Sequence, residues 1–486
     1  MTGRLPLLAL VLVGLSGCTA VRPQAAFGDV QATVAERADL RAVWVTGTAE
    51  DAAARAAVDS LLTDSLTADV AVQVALLNNR RLQATYEDLG VAQAMLVQAG
   101  LLSNPVFGAR GLWPAEGGAP DLGLSVAFDF LDVFARPLRQ RVARSEYAAA
   151  QARVAGAVLD LAAQTRTAAI RAQADAARLA MQVRVVANAE AGYTAARLLR
   201  EAGNVPAVDL LAEQALYEQA RLDLLVAEGA AAESREALIR RMGLSGPQAV
   251  IPLRATLPAV PAESPLPFVR TSTEAGVPGA AVDAEAIERA AVAASLDLDA
   301  RRADIEAAAR RLGLTDVEAL VPTLHAGAEL ERTDGEWEAG PDVEVALPLF
   351  DQGQARRAAG YAELRRAQAL YEADAVDLRS TARTLATRLA TARRAALHYQ
   401  TTVLPLRAEV AAQTLRQYNA MQTGVFGVLQ AQQAEAEAAR RYFDALAAYW
   451  VARTDLDLLL QGRMPSLDGG ALARANAPSS VPPAAH

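Results

Sequence analysis

Lysine is absent from the 486-residue chain: all 47 basic residues are arginine. That excludes Schiff-base and lysine-nucleophile chemistry. One cysteine and three histidines (His325, His398, His486) cannot build a structural zinc site or an intrachain disulfide. Neither His325 nor His398 has a serine, cysteine or carboxylate pair at a spacing that would make it catalytic. GxGxxG, P-loop and HExxH motifs are missing too, so no catalytic residue, no metal site and no cofactor is expected. A net charge of −9 argues against nucleic acid, which needs clustered positive charge. Aromatics are scarce at 5%, while 52% of residues are hydrophobic and roughly 110 are alanine, far above ordinary usage. Alanine favours helix and buries little, which points to long, closely packed helices. After residue 18 no apolar run reaches the ~18 residues of a transmembrane helix, so any membrane passage must be made by strands.

The start of the chain is an exception to this plainness. Arg4 precedes the apolar run Leu5–Leu15, which has the length of a signal-peptide core. Leu15-Ser16-Gly17-Cys18 then resembles a lipobox, in which the cysteine carries lipid and becomes the mature N-terminus. The expected export signal is 1–17, followed by a lipidated extension over 18–65. Thr19, where an aspartate would favour inner-membrane retention, implies delivery to the outer membrane by that resemblance.

The rest of the chain repeats itself. Leu82, Asp88 and Ala92 line up with Leu298, Asp304 and Ala308; Asp132, Gln214 and Gly243 line up with Asp351, Gln433 and Gly462. This near-constant register defines a first repeat at 66–245 and a second at 284–462. The connector 246–283 is rich in proline and cannot continue a helix, and 463–486 reads as a disordered tail. Each repeat opens with a helix-period segment, about 66–100 and 284–314, and closes with a giant helical hairpin. The long arms run from about Phe134 to Ala202 and Gln354 to Gln422, interrupted only by Pro137 and Pro405, and Gly203 and Gly424 make the turns. Two adjacent apolar stripes in the last helix, one through Phe443 and Trp450 and one through Tyr449 and Leu456, predict neighbours on two sides.

Between helices the apolar period falls from 3.6 to 2. Leu122, Leu124, Val126, Phe128 and Phe130 alternate with small or polar residues, as do Leu324, Ala326, Ala328 and Leu330. Segments 105–113 and 342–350 alternate likewise, and loops at 114–121 and 334–340 make two β-hairpins, 105–131 and 322–350. The length and pattern suit outer-membrane strands. Four strands cannot close a barrel, so copies must associate to pair the edges. Arg110, Asp129, His325, Glu329, Glu331 and Glu344 are expected to face a lumen, with Phe128, Phe130, Leu347 and Leu349 facing lipid and Trp113 and Trp337 near the outer rim.

On several ordered segments the sequence resembles the TolC family of outer-membrane efflux channels. They are Ala75-Leu76-Leu77-Asn78-Asn79 with Leu82, Asn104-Pro105, Leu347 through Gly353 with Arg356-Arg357, Gly203 through Glu213, Val428 through Gln433, Tyr442 and Gly462. The resemblance implies a mainly α protein with a small transmembrane β portion. Duplicated helical hairpins would form an α-barrel, and four strands per chain a trimeric twelve-stranded β-barrel. It also implies a homotrimer in outer-membrane lipid, lipid-anchored through Cys18, with a periplasmic helical tunnel. A periplasmic adaptor and an inner-membrane efflux pump would be its partners. The periplasmic gate would then involve Asp209 and Glu213, with Gly427 at the second-repeat counterpart of Asp209 and Gln430 where an acid is common. The second turn reads as about two residues shorter than the first. A periplasmic adaptor or structural coiled-coil lipoprotein is the competing reading, since it too would carry a lipobox and a helical hairpin.

Overall fold

Two short helices, α1 (Pro23–Ala38) and α2 (Ala49–Leu61), precede the first repeat in the computed structural model. The structure describes residues 23–465 apart from 48, 64–65, 114–119, 255, 262–268, 273–278, 321–323 and 334–335. Cys18, the export segment and most of the C-terminal tail lie outside the described residues.

The first repeat then runs α3 (Ala68–Asn78), α4 (Arg80–Ala99), β1 (Val106–Leu112), β2 (Asp121–Asp129), α5 (Leu131–Glu201) and α6 (Ala207–Met242). A small hairpin in the connector, β3 (Val269–Ser272) and β4 (Gly279–Val282), was not legible in its proline content. The second repeat follows the order of the first: α7 (Ala284–Ala294), α8 (Leu296–Leu320), β5 (Leu324–Thr333), β6 (Glu336–Val345), α9 (Gln354–His398), a π-turn at Tyr399–Val403, α10 (Leu404–Asn419) and α11 (Val425–Leu460).

Each opening segment, expected as one helix, is two. Thr67 caps α3 by accepting the Val70 N–H at 3.2 Å, and Asp283 caps α7 by accepting that of Ala286 at 2.9 Å. The break falls at Asn79 and Ser295, whose ψ angles of 112° and 110° are extended. The Asn79 carboxamide oxygen accepts from the N–H groups of Arg81 and Leu82, starting α4 afresh.

α5 is continuous over 71 residues, roughly 107 Å at 1.5 Å per residue. Pro137, its seventh residue, removes only one backbone donor there. The corresponding arm of the second repeat is divided. Pro405 has no N–H for the Thr401 carbonyl, and the turn just before it widens so that Leu404 N–H reaches the Tyr399 carbonyl five residues back.

The strands form one antiparallel sheet in the order β1-β2-β5-β6, leaving β1 and β6 as edges. The last strand spans 336–345 rather than the expected 342–350. Thr333 pairs with Glu336, so most of the expected loop is strand. Pro348 falls beyond the ladder, and Pro341 is accommodated on an edge strand.

The chain divides into two units, each with its own core. One comprises the sheet, the ends of the long helices attached to it, and α8. Its core includes Tyr86, Leu89, Val142, Val154, Leu298 and Leu312. Here Arg311 pairs with Glu146 and Glu363, and Arg301 with Asp374. The other holds the remaining lengths of the long helices with α3, α6, α7, α10 and α11, around Leu159, Leu238, Met242, Leu385, Leu446, Tyr449 and Leu456. Among the described residues no helix is long and apolar enough to cross a membrane.

Candidate functional site

The strand register sorts side chains by face. Arg110 lies opposite Gly123, which pairs with Glu331; Ser125 pairs with Glu329; Asp129 pairs with His325, which pairs with Glu344. All six residues expected to face a lumen therefore fall on one side of the sheet. Arg110 and Glu331 form an exposed ion pair at 3.2 Å. Phe107, Leu122, Leu124, Val126, Phe128, Leu330 and Val343 occupy the opposite side. Of the residues expected to face lipid, Phe128 is on that side and exposed. Phe130 lies one residue past β2, and Leu347 and Leu349 lie past the end of β6, so these three are not strand residues. Trp113 and Trp337 are exposed at the hairpin end of the sheet.

The two turns of the helical hairpins are equal in length, correcting the expectation that the second is shorter. Five residues, 202–206 and 420–424, separate the helices in each. Gly203 N–H bonds the Arg200 carbonyl and Asn204 N–H that of Leu199; Met421 N–H bonds Tyr418 and Gln422 N–H bonds Gln417 in the same pattern. Met421 thus takes the left-handed position, with φ 59° against 77° at Gly203. Gly424, expected to be the counterpart of Gly203, is instead the N-cap of α11, as Pro206 is of α6.

Asp209 is the third residue of α6 and Gly427 the third of α11. Asp209 is no N-cap. Its carboxylate stands in the first turn, where the helix dipole favours negative charge. Glu213, a turn further along, is folded into the packing. A Cβ on Gly192 would come within 2.8 Å of its carboxylate oxygen and 3.0 Å of Leu429. It borders a small cavity of about 40 Å³ with Val185, Leu216 and Leu429. Burial pushes its carboxyl above the usual range. Gln430 belongs elsewhere, to a groove of about 840 Å³ that also receives Arg178, Asp223, Arg440 and Arg441. The four expected gate residues are therefore two at helix starts, one in a cavity and one in a groove.

Residues 30–244 match the family model for outer membrane efflux protein. Over this segment the chain is similar to the outer membrane efflux protein family. The TolC-like fold extends beyond the segment matched by sequence. The CmeC outer membrane channel of Campylobacter jejuni superposes with a TM-score of 0.67 at 14% identity, covering 85% of this chain and 91% of that one. A membrane protein from Pseudomonas aeruginosa gives 0.66 at 17%, covering 84% and 91%. The open state of the MtrE outer membrane channel of Neisseria gonorrhoeae gives 0.61 at 17%, covering 81% and 89%. No protein in the comparison with curated proteins matches.

Sequence reasoning missed three acids of β6 on the polar face of the sheet. Glu336 pairs with Thr333, Glu338 with Glu331, and Asp342 with Gly327. Glu336, Glu338, Asp342 and Glu344 already stand at even spacing in the sequence, so a period-2 count started six residues earlier would have found them.

Proposed function

We propose that this protein is the outer-membrane channel of a tripartite efflux system. Small molecules (drugs, toxic compounds or metal ions) expelled by an inner-membrane pump would pass out through it. The observation that carries the reading is a four-stranded sheet with one charged face, one apolar face and two open edges, attached to very long helical hairpins. An isolated sheet of this kind leaves β1 and β6 unpaired, which lipid does not tolerate; three copies joined edge to edge make a closed twelve-stranded barrel. The likeness of residues 30–244 to outer membrane efflux proteins and the fold shared with outer-membrane channels support the same conclusion. The charged face then lines water and the apolar face meets lipid. The helical hairpins form a periplasmic tunnel whose tip, at residues 202–206 and 420–424, receives a periplasmic adaptor. Cys18 carries a lipid anchor of the palmitate type. Transport is passive, with energy supplied by the pump, and the chain itself is not an enzyme.

Outer-membrane fractionation followed by native mass spectrometry of the detergent extract tests this. A lipid-modified trimer in the outer membrane is the expected result. A monomer in the soluble or inner-membrane fraction would overturn the channel and favour an adaptor.

A further inference from the structure

The sheet is too short for a bilayer along its first edge. A tilted barrel strand needs about 9–11 residues to cross the hydrocarbon. β5 and β6 have ten each, but β1 has seven. At about 3.4 Å per residue and a tilt near 40°, β1 accounts for only about 18 Å of an apolar band about 25 Å tall. The shortfall lies at the helix end, where β1 begins opposite Ala127, before β2 finishes at Asp129.

At that same end Leu101 and Phe130 are exposed, and six further apolar side chains with them. Leu102 precedes β1, Val133 and Phe134 are in the first turn of α5, and Leu347, Leu349 and Phe350 follow β6. The last three are 72, 70 and 93% exposed, large values for residues of this type. Charge returns at once beyond them, with Arg136 on α5 and the Asp351–Arg356 pair at 3.5 Å.

We propose that these six side chains form a collar seated at the boundary between acyl chains and headgroups of the inner leaflet of the outer membrane, with phospholipid as the partner. The proposal rests on the reading that the apolar face of the sheet meets lipid, with which the collar is continuous. Two observations set its depth. Residues 346–353 belong to neither strand nor helix, and lipid-exposed irregular backbone is not tolerated within the hydrocarbon itself. Arg136 and Arg356 lie within a few residues of the collar, and guanidinium groups suit lipid phosphate.

The test uses the full-length protein in phosphatidylcholine vesicles brominated at shallow or at deep acyl carbons. F350W, L347W, F128W and Y361W are compared with the parent protein, and the quenching of the added fluorescence is read. F350W and L347W should lose fluorescence chiefly to shallow bromines and F128W chiefly to deep ones, while Y361W, two turns into α9, stays bright. If F350W and L347W are as bright as Y361W while F128W is quenched, water or a second copy covers the collar residues; the collar is then wrong and the lipid-facing sheet stands. If F128W is bright as well, both readings fall. Quenching of Y361W as strong as that of F350W would put the boundary lower and overturn the proposed depth.

Discussion

The two repeats share a backbone and differ in how they hold it. Both open with a helix broken at an extended residue, Asn79 or Ser295, and both turn at the tip through the same hydrogen bonds. Both also finish their last helix near a glycine with positive φ, Gly243 or Gly462. Against this background α5 is unbroken, whereas α9 and α10 are separated by a π-turn. The first tip turn uses glycine at the left-handed position and the second uses methionine. One repeat places an acid in the third position after the turn, and the other a glycine. Helix packing at a fixed register constrains the backbone path. Local side chains at breaks and turns are free to diverge wherever another residue can satisfy the same path.

The largest test of this difference is to give α5 the proline that α10 has. Ala187→Pro, at the α5 position matching Pro405, should cost about 3 kcal/mol or more because no widened turn precedes it. Thermal melting in detergent, followed by helical circular dichroism, checks this; an unchanged midpoint would mean that α5 widens as readily as its counterpart. Next comes the break between α3 and α4. Asn79→Ala removes the cap and the 2.8 Å bond from its amide to the Arg241 carbonyl, for an expected loss of about 1–2 kcal/mol by the same melt.

The tip turns should respond in opposite directions. Gly203→Met places a side chain at φ 77° with open space around its Cβ, so only backbone strain, about 1 kcal/mol, is added. Met421→Gly should relieve a similar amount, and amide exchange at the end of α10 should slow with it. The smallest effect is at Glu213. Because burial raises its carboxyl, the stability tied to its protonated form is fully present below the unfolded value and is lost as pH rises through the folded one. Glu213→Gln should therefore flatten the dependence of amide exchange in α6 as pH rises above the ordinary glutamate range. A slope unchanged by the substitution would assign the pH response to another group.

What could be read from the sequence follows the range of the forces involved. Alternation in 122–128 and 324–331 was legible because a half-buried or half-solvated strand imposes period 2 on its own residues. The ends of the last strand were not, since Leu347 and Leu349 keep the alternation past Val345, where the ladder ends. Long helices were legible from propensity and the scarcity of proline. The π-turn before Pro405 was not, because helix can end, kink or widen at proline with the same residues. Met421 carried no signal at all: a non-glycine residue is placed at positive φ by the hydrogen bonds closing α10 rather than by its own preference. Placing Glu213 in a cavity required knowing that Gly192 and Leu429 approach it, which no local pattern encodes.

The central claim is that the open edges β1 and β6 meet between copies. Ala109→Cys on β1, combined in turn with cysteine at Ala339, Pro341 and Val343 on β6, tests it in outer membranes under mild oxidation. The account predicts that at least one pair gives a ladder on a non-reducing gel that stops at three chains. Monomer alone from every pair, in protein that reaches the outer membrane, would contradict it.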